Sequence, residues 1–274
     1  MSDQALTREE IDRANARFWD ELCGTNFARQ LGITGHSMES LRRFDQAYMD
    51  LYPYLLKRVP VHSMRGKKVL EIGLGYGTLG QKIAEAGADY TGLDIAAGPV
   101  GMMNHRLAMQ GLPGRAIQGS MLDCPLPDGS QDCVVSIGCF HHTGNLQRCV
   151  DETWRVLRPG GAAYIMVYNA LSYRRWIKWP GDTLRTALSR SRVQAGNEGQ
   201  RAAYDANSSG EAAPETVFVS RAQLRAMMGR FSETSLALEN CEDFVRGPIV
   251  VRRARMLSSL GRIAGLDIYA TARK

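Results

Sequence analysis

The sequence lacks the paired cysteines and histidines that usually hold a zinc ion. Its six cysteines are scattered, no two form a C-x-x-C pair, and no histidine stands at ligand spacing from them. The same scatter argues against a disulfide framework, so we expect no metal and only free thiols, which are typical of a reducing compartment. The cysteines are Cys23, Cys124, Cys133, Cys139, Cys149 and Cys241.

Long apolar runs are also missing. No stretch approaches the roughly 18 apolar residues that a membrane-spanning helix needs. The first residues, MSDQALTREE, are polar and acidic, unlike the basic and apolar start of a secretion signal. We therefore expect a cytoplasmic protein. A length of 274 residues predicts one large domain, or one domain with an elaboration.

Acidic residues are scarce in two late segments, although the net charge is only +6. Between Ser172 and Arg192, Asp182 is the single acid, and between Arg246 and Arg262 there is none. A solvated face, an anionic substrate and an anionic membrane surface all remain open. We expect no nucleic acid partner, because no known nucleic-acid-binding motif accompanies the basic residues. The basic residues are Arg174, Arg175, Lys178, Arg185, Arg190, Arg192, Arg246, Arg252, Arg253, Arg255 and Arg262.

Strand and helix patterns alternate between Lys67 and Asn169. The predicted strands are KKVLEIG, YTGLDIA, GRAIQGSM, QDCVVSIGCF and AAYIMVYN, separated by the helices GTLGQKIAEAGA, GPVGMMNHRLAMQG and NLQRCVDETWRVL. Such alternation predicts βαβ crossovers and a parallel sheet covered on both faces. The fold class is therefore α/β, with a doubly wound, mostly parallel, Rossmann-like sheet.

The flanking segments predict helices before the sheet and further strands after it. T-x-x-E at Thr7 is a capping-box start for a helix through about Cys23. A second helix is predicted from about Met38 to Val59. A helix over 220–231, a strand over 235–241 and the strand LDIYATARK complete the chain. We divide it into an N-terminal helical part (1–62), a core (63–169), an insertion (170–219) and a C-terminal part that completes the sheet (220–274).

The segment VLEIGLGYGTLG, which begins within the first predicted strand, contains the pattern G-x-G-x-x-G. Such a loop binds a phosphate or another part of a nucleotide at the carboxyl edge of a parallel sheet. Asp94, which ends the second strand, can accept both hydroxyls of a ribose, as many nucleotide ligands require. Glu71 distinguishes a nicotinamide dinucleotide from another adenosine-bearing ligand. A carboxylate at this position would repel a pyrophosphate and favour a sulfonium with a free amino group.

Two further segments have no counterpart in nicotinamide-binding proteins. They are QGSMLDCPLPDGSQDCVVSIGCFHHTG and WRVLRPGG. Over about Lys67 to Asn169 the chain resembles the class I S-adenosylmethionine-dependent methyltransferases, and LDIYATARK resembles the last strand of that family. The resemblance implies a seven-stranded methyltransferase sheet, an N-terminal helical lid and S-adenosylmethionine as cofactor.

The resemblance also implies which residues contact the cofactor. Glu71, Gly73, Leu74 and Gly75 would surround the methionine portion, while Asp94 would bind the ribose. Ile95 would pack on the adenine. Where the family often has Gly-Asp, this sequence has Gly119-Ser120, so the adenine contact falls to Ser120 and Met121, or to Asp123 from the next turn. Gly138 and Cys139 would line the floor of the cofactor-binding site.

Methyl transfer from a sulfonium needs orientation and a dry pocket, and it needs a base only when the acceptor loses a proton. His141 and His142 follow the fourth strand, where methyl group and acceptor should meet. His142 is our leading candidate for the base, with a purely structural loop histidine as the alternative. Tyr168 and Asn169 end the fifth strand. Asn169 could orient an acceptor or cap the next helix.

Three further residues are candidate acceptor contacts. Tyr48 and Tyr52 share one face of a helix and could stack on the acceptor or pack within the lid. Arg174, beside Trp176 and Trp179, could bind an anionic or lipid-linked substrate at a membrane interface, or belong to ordinary packing. The segment YDANSSGEAAPET could form hydrogen bonds to a polyhydroxylated acceptor or lie in solvent.

The sequence thus predicts a methyltransferase that acts on the oxygen or nitrogen of a small molecule, anionic or polyhydroxylated in character. A cofactor-binding regulatory module without turnover is the first alternative, and a nicotinamide-dependent oxidoreductase the second. The oligomeric state and the methylated atom stay open.

Overall fold

The computed structural model describes residues 7–21, 25–189, 193–247 and 249–274. The helices are α1 (Arg8–Asp20), α2 (Thr25–Gln30), α3 (Met38–Leu51), α4 (Leu55–Arg58), α5 (Thr78–Glu85), α6 (Ala97–Gln110), α7 (Leu146–Val156), α8 (Tyr173–Lys178), α9 (Pro180–Leu188), α10 (Glu198–Tyr204), α11 (Arg221–Met227), α12 (Arg253–Met256) and α13 (Leu260–Ala264). Short 3₁₀ turns span Val61–Met64, Met121–Asp123 and Phe140–His142.

The strands are β1 (Lys68–Ile72), β2 (Asp89–Asp94), β3 (Arg115–Gln118), β4 (Gln131–Ile137), β5 (Leu157–Tyr168), β6 (Gln194–Ala195), β7 (Val217–Phe218), β8 (Glu233–Glu239), β9 (Phe244–Arg246), β10 (Ile249–Val251) and β11 (Asp267–Arg273). Seven of them form one sheet in the order β3-β2-β1-β4-β5-β11-β8. The first five run parallel, while β11 lies antiparallel to both β5 and β8. The Rossmann-like prediction is therefore confirmed.

The strands are buried on both faces, as parallel strands covered by helices must be. On β1, Leu70 and Ile72 pack into one apolar cluster with β4, β5 and α7, while Val69 packs into another with α5 and α6. Chain order reverses between β1 and β4, because β2 and β3 extend the sheet one way and β4 and β5 the other. A crevice therefore opens at the carboxyl ends of these two strands.

The N-terminal helices partly match the sequence prediction. The capping box at Thr7 is present: its hydroxyl accepts the Glu10 N–H, and the Glu10 carboxylate accepts the Thr7 N–H. Helix α1 ends at Asp20, and the predicted end near Cys23 lies outside the described residues. The single helix predicted from Met38 to Val59 is wrong, since it divides into α3 and α4 around Pro53. Proline lacks an N–H and disfavours a helical conformation in the residue before it.

Helix α3 is attached to the core through a buried ion pair. Asp45 on α3 accepts two bonds of 2.9 Å from the guanidinium of Arg106 on α6 and one of 2.6 Å from the hydroxyl of Thr78 on α5. Arg106 is fully buried. Phe44 of α3 also stacks on Tyr76 of the glycine loop, with ring centroids 4.1 Å apart. The helical segment is thus held directly above the loop that follows β1.

The C-terminal part contains a feature that the sequence did not predict. Strands β9 and β10 form an antiparallel pair outside the main sheet. The predicted helix over 220–231 is the shorter α11, and the predicted strand over 235–241 is β8. Within the described part of the chain, no helix is both long and apolar enough to cross a membrane.

Candidate active site

A cavity of about 730 Å³ lies at the carboxyl ends of β1, β2 and β4. It is walled by the sheet on one side and by α1, α3 and the residues around α10 on the other. All ten residues that the resemblance assigned to the cofactor line it. They are Glu71, Gly73, Leu74, Gly75, Asp94, Ile95, Ser120, Met121, Gly138 and Cys139. The cavity therefore joins residues from four separate strand ends.

The loop after β1 requires glycine for two reasons. Gly73, Gly75 and Gly77 have φ values of +78°, +53° and +82°, which L side chains rarely adopt. A Cβ on Gly73 would also lie 2.5 Å from the Cβ of Cys139. The backbone can therefore approach a ligand closely. Helix α5 begins directly after Gly77 without a side-chain cap, so its first N–H groups can bind a ligand carboxylate or phosphate.

Asp94 is positioned by the backbone of its neighbours. One carboxylate oxygen accepts the Leu74 N–H at 2.8 Å, and the other accepts the Ala96 N–H at 2.9 Å. Each oxygen keeps a lone pair for a further donor, such as a ribose hydroxyl. Burial raises the pKa of Asp94 above its ordinary value, against the lowering effect of these N–H groups. The residue ties the glycine loop to the end of β2 and also faces the cavity.

Glu71 differs from the free anion on which the sequence argument relied. Its side chain is buried and accepts a bond of 2.5 Å from the hydroxyl of Tyr90. Burial raises the pKa of Glu71 to about 8, which the Tyr90 bond only partly offsets. Without a ligand the carboxyl therefore holds a proton at neutral pH. A cationic group in the cavity would favour its ionised form.

The adenine side of the cavity rests on the turn after β3. Ser120 caps the short 3₁₀ turn, where its hydroxyl accepts the Leu122 N–H at 3.3 Å. Met121 is buried against the core. Asp123 is exposed and does not line the cavity, so the alternative contact through Asp123 is not supported.

His142 lines the same cavity. Its Nδ1 is 2.9 Å from the carbonyl oxygen of Glu215, and since a carbonyl only accepts, Nδ1 carries the proton. Nε2 then holds the free lone pair. It is 3.6 Å from a carboxylate oxygen of Asp205, to which Tyr168 donates its hydroxyl at 3.0 Å. Burial raises the pKa of Asp205, and the nearby His142 lowers it.

Asp205 comes from the insertion, just after α10. The sequence pattern gave it only as one polar residue in a loop that could equally lie in solvent. The structure instead places its partly buried carboxylate beside His142 and Tyr168. No local signal links residues 142 and 205, so the pair appears only when the insertion is seen packed on the core.

His141 is not part of this arrangement. Its ring is fully buried, does not line the cavity, and lies between the rings of His142 and Tyr168, at centroid distances of 4.1 and 4.0 Å. Neither ring nitrogen has a hydrogen-bond partner among the described residues. Burial lowers the pKa of His141 well below its ordinary value, with a smaller effect from His142. The catalytic assignment of His141 is therefore wrong, and the ring is a neutral packing group.

Two predicted acceptor contacts at the end of β5 also lie outside the main cavity. The amide of Asn169 donates to the carbonyl of Gly265 and accepts the Leu171 N–H, both within 2.9 Å. These bonds hold the turn after β5, while Ser172 occupies the N-cap position of α8, so Asn169 neither lines the main cavity nor caps the helix. Tyr168 does not line the main cavity either, although its hydroxyl fixes the Asp205 carboxylate.

Arg174 likewise does not line the main cavity, because internal partners hold its guanidinium. It pairs with Glu242 at 3.0 Å, lies 4.2 Å from the ring centre of Tyr204, and donates to the carbonyl of Ala203. Its neighbour Arg175 is buried over the ring of Phe218. These positions remove the main reason for expecting an anionic group at the methyl-transfer point.

The roof of the cavity consists mostly of aromatic and acidic side chains. Tyr48 of α3 and Tyr52 just after it line the cavity, and their rings also contact each other. The other roof residues come from 12–44, where the apolar spacing indicated only amphipathic helices, or from the segment YDANSSGEAAPET. They are Asp12, Asn15, Phe18, Trp19, Glu21, Phe27, Arg29, Gln30, Phe44, Tyr204, Asn207 and Ser208.

Comparison with known proteins agrees with this geometry. Residues 70–165 match a family model described as a methyltransferase domain. A demethylmenaquinone methyltransferase from Tropheryma whipplei is 30% identical over 38% of this chain and 43% of its own length. A fatty-acid O-methyltransferase from Mycolicibacterium smegmatis is 35% identical over 36% of each chain. The matched region thus spans less than half of these curated relatives.

Among solved structures, the chain is similar to the Burkholderia thailandensis 1,6-didemethyltoxoflavin-N1-methyltransferase with bound 1,6-didemethyltoxoflavin and S-adenosylhomocysteine. The TM-score is 0.53 at 16% identity, covering 100% of this chain and 93% of the other. A likeness at this identity establishes the fold.

The buried Glu71 makes stability depend on pH. Because its folded-state pKa is about 8 and its ordinary value is 4.5, the folded protein holds this proton more tightly than the unfolded chain. The contribution, on the order of 5 kcal/mol, is fully present below the ordinary pKa and is lost as the pH rises through the folded value. We expect Glu71→Gln to raise Tm above wild type at about pH 9 and much less at about pH 5.

Thermal unfolding followed by circular dichroism across this range provides the measurement. Glu85→Gln, at the exposed end of α5, is the matched control and should keep the wild-type pH profile. Parallel profiles for Glu71→Gln and wild type would show that Glu71 is ionised in the folded protein.

Proposed function

We propose that this protein is a class I S-adenosylmethionine-dependent methyltransferase that acts on a small-molecule acceptor, on the premise that residues 70–165 match a family model described as a methyltransferase domain. S-adenosylmethionine would supply an activated methyl group on its sulfonium. The observation that carries the proposal is a single cavity lined both by the glycine loop with Asp94 and by His142 with Asp205.

The residues of the cavity fit the cofactor part by part. Asp94 keeps two acceptor sites for the ribose hydroxyls, and the start of α5 offers free N–H groups to the methionine carboxylate. Ile95 and Met121 present apolar surface for the adenine. The carboxyl of Glu71, held by Tyr90, can balance a positive charge by releasing its proton.

His142 would act as the general base when the acceptor is a hydroxyl. Its Nε2 would take the proton from the acceptor oxygen as that oxygen forms its bond to the methyl carbon. Asp205 would stabilise the resulting imidazolium, while the Glu215 carbonyl keeps the Nδ1 proton in place. The lid and the insertion would exclude water.

The character of the lining favours an acceptor with an aromatic or otherwise apolar body. Phe18, Trp19, Tyr48 and Tyr52 offer ring faces, and the acids near them disfavour an anionic group at the reacting end. The named relatives act on different acceptors, a demethylmenaquinone in one case and a fatty acid in another. Oxygen methylation is the form best supported by a histidine with a free Nε2, and nitrogen methylation is the alternative.

Ligand binding separates this function from a nicotinamide oxidoreductase. We expect calorimetry to detect S-adenosylhomocysteine and not NAD. Asp94→Asn should weaken S-adenosylhomocysteine binding by roughly 10- to 100-fold, because a ribose hydroxyl loses a charged partner. Asp89→Asn, exposed at the start of the same strand, is the control and should bind normally.

Binding of NAD alone would exclude the proposal. Normal binding by a folded Asp94→Asn variant would show that the ribose lies elsewhere. Cofactor binding without methyl transfer to any tested acceptor would favour a regulatory module.

Kinetics test the role of His142. With labelled S-adenosylmethionine and a panel of phenols and alcohols, His142→Gln should lower kcat by about 10²- to 10⁴-fold, the typical contribution of a general base. Asp205→Asn should lower it less, because the imidazole itself remains. S-adenosylhomocysteine binding should be unchanged in both variants. His62→Gln, at an exposed position, is the control.

Full activity of His142→Gln on the acceptor that wild type prefers would rule out a base at this position. Catalysis would then depend on orientation alone, as suits a nitrogen acceptor that is already neutral.

A further inference from the structure

Helix α9 has an unusual orientation of its polar and apolar side chains. Thr183 and Thr186 face inward, with exposures of 0% and 4%. Leu184 and Leu188 face outward, with exposures of 50% and 78%. The Thr183 hydroxyl donates to the Trp179 carbonyl, and the Thr186 hydroxyl lies within hydrogen-bond distance of both the Asp182 carbonyl and the side-chain oxygen of Gln194. A helix on an aqueous surface normally shows the reverse arrangement.

Apolar exposure continues on the neighbouring elements. Trp176 and Ile177 of α8 are exposed, the latter at 67%. On the β9–β10 pair, Val245 and Val250 are register partners, so their side chains share one face, and both are exposed. Outside the segments 176–188 and 244–263, Leu56 is the one other large apolar residue of the described chain that is exposed to this degree.

A direct contact brings these two segments together. Arg174, at the start of α8, forms an ion pair of 3.0 Å with Glu242, just before β9. The Glu242 N–H also donates to the hydroxyl of Tyr173 at 2.9 Å. Ile177 follows Arg174 by three residues, and Val245 follows Glu242 by three. Three residues of strand span roughly 10 Å, and three residues of helix span less. Ile177 and Val245 therefore both lie near the Arg174–Glu242 ion pair.

The charge around this surface is positive. From Phe244 to Leu266 the sequence contains no acid, and Asp243 is already paired with Arg252. On α9, Asp182 pairs with Arg185 and accepts a bond from Gln200. We name the surface the basic-apolar face and define it by these residues. Its apolar members are Trp176, Ile177, Leu184, Leu188, Val245 and Val250, and its exposed basic members are Lys178, Arg185, Arg252, Arg255 and Arg262.

We propose that the basic-apolar face docks on an anionic lipid bilayer. Aliphatic and tryptophan side chains can enter the boundary between headgroups and acyl chains, while lysines and arginines contact lipid phosphates. The charge favours a bilayer over a second protein, because the core of a protein interface is depleted in charged residues, whereas five exposed bases accompany the apolar side chains here.

A second cavity, of about 460 Å³, reaches the surface between the two segments. It is lined by Arg174 from α8 and by Glu242 and Asp243 at the base of β9. Its inner wall includes Tyr52 and Tyr204, which also line the main cavity. If the proposed methyl transfer holds, this position gives a lipid-soluble acceptor a short path from the bilayer to His142. That consequence rests on the proposed function, whereas bilayer docking does not.

Vesicle flotation of the full chain, without cofactor or acceptor, tests the docking. We expect binding to vesicles of mixed phosphatidylcholine and phosphatidylglycerol, weakened by added salt, and little binding to phosphatidylcholine alone. The double variant Leu184→Asp/Leu188→Asp should bind roughly tenfold less. Arg255→Gln/Arg262→Gln should lose most of the preference for the anionic lipid. Leu56→Asp is the matched control and should bind like wild type.

Light scattering and S-adenosylhomocysteine calorimetry on the same samples keep the outcome interpretable. Both double variants should remain folded, bind the cofactor product and stay in the wild-type oligomeric state. Absence of wild-type binding to either vesicle would overturn the proposal. So would a wild-type dimer that Leu184→Asp/Leu188→Asp dissociates, since the face would then be a protein interface.

Discussion

The buried ion pair between Arg106 and Asp45 determines the geometry of the site. A guanidinium with no exposed surface is costly unless it is paired, and Asp45 of α3 supplies the pairing carboxylate. The same carboxylate binds Thr78 at the start of α5, and Arg106 also binds Gln81 in the next turn. Three helices are therefore fixed around the glycine loop.

This constraint also explains the loop sequence. A Cβ on Gly77 would lie 2.7 Å from the Cδ of Arg106, so the buried guanidinium side chain leaves no room for a larger residue there. Helix α3, the loop and α6 are thus mutually dependent. A cavity enclosed in this way can exclude water, which strengthens the electrostatic interaction between His142 and Asp205.

Much of the fold could be predicted because its signals are local. Strand runs, helix caps and the positive-φ glycines are read within a few residues, and the βαβ rule then fixes the sheet and places Glu71, Asp94 and Cys139 at one crevice. The break of the second helix at Pro53 is local too and could have been predicted from that residue.

The rest depends on contacts that are distant in sequence. Charge alone suggested an anionic ligand for Arg174, but Glu242, 68 residues later, takes its guanidinium. His142 and Asp205 are joined by an insertion whose own pattern indicated only a polar loop. His141 and His142 are adjacent in sequence, yet one is a buried packing group and the other faces the cavity. Which role each histidine has depends on the direction of its side chain within a single turn of 3₁₀ helix. Residue type alone does not predict that direction.

A crystal structure with bound S-adenosylhomocysteine tests the central claim most directly. The account predicts that the ribose hydroxyls bond to Asp94 and that the sulfur faces the open end of the cavity. His142 Nε2 and Asp205 would border the space within about 4 Å of the position of the departed methyl group. A ligand whose sulfur points away from His142, or a space bordered by Arg174 instead, would contradict it.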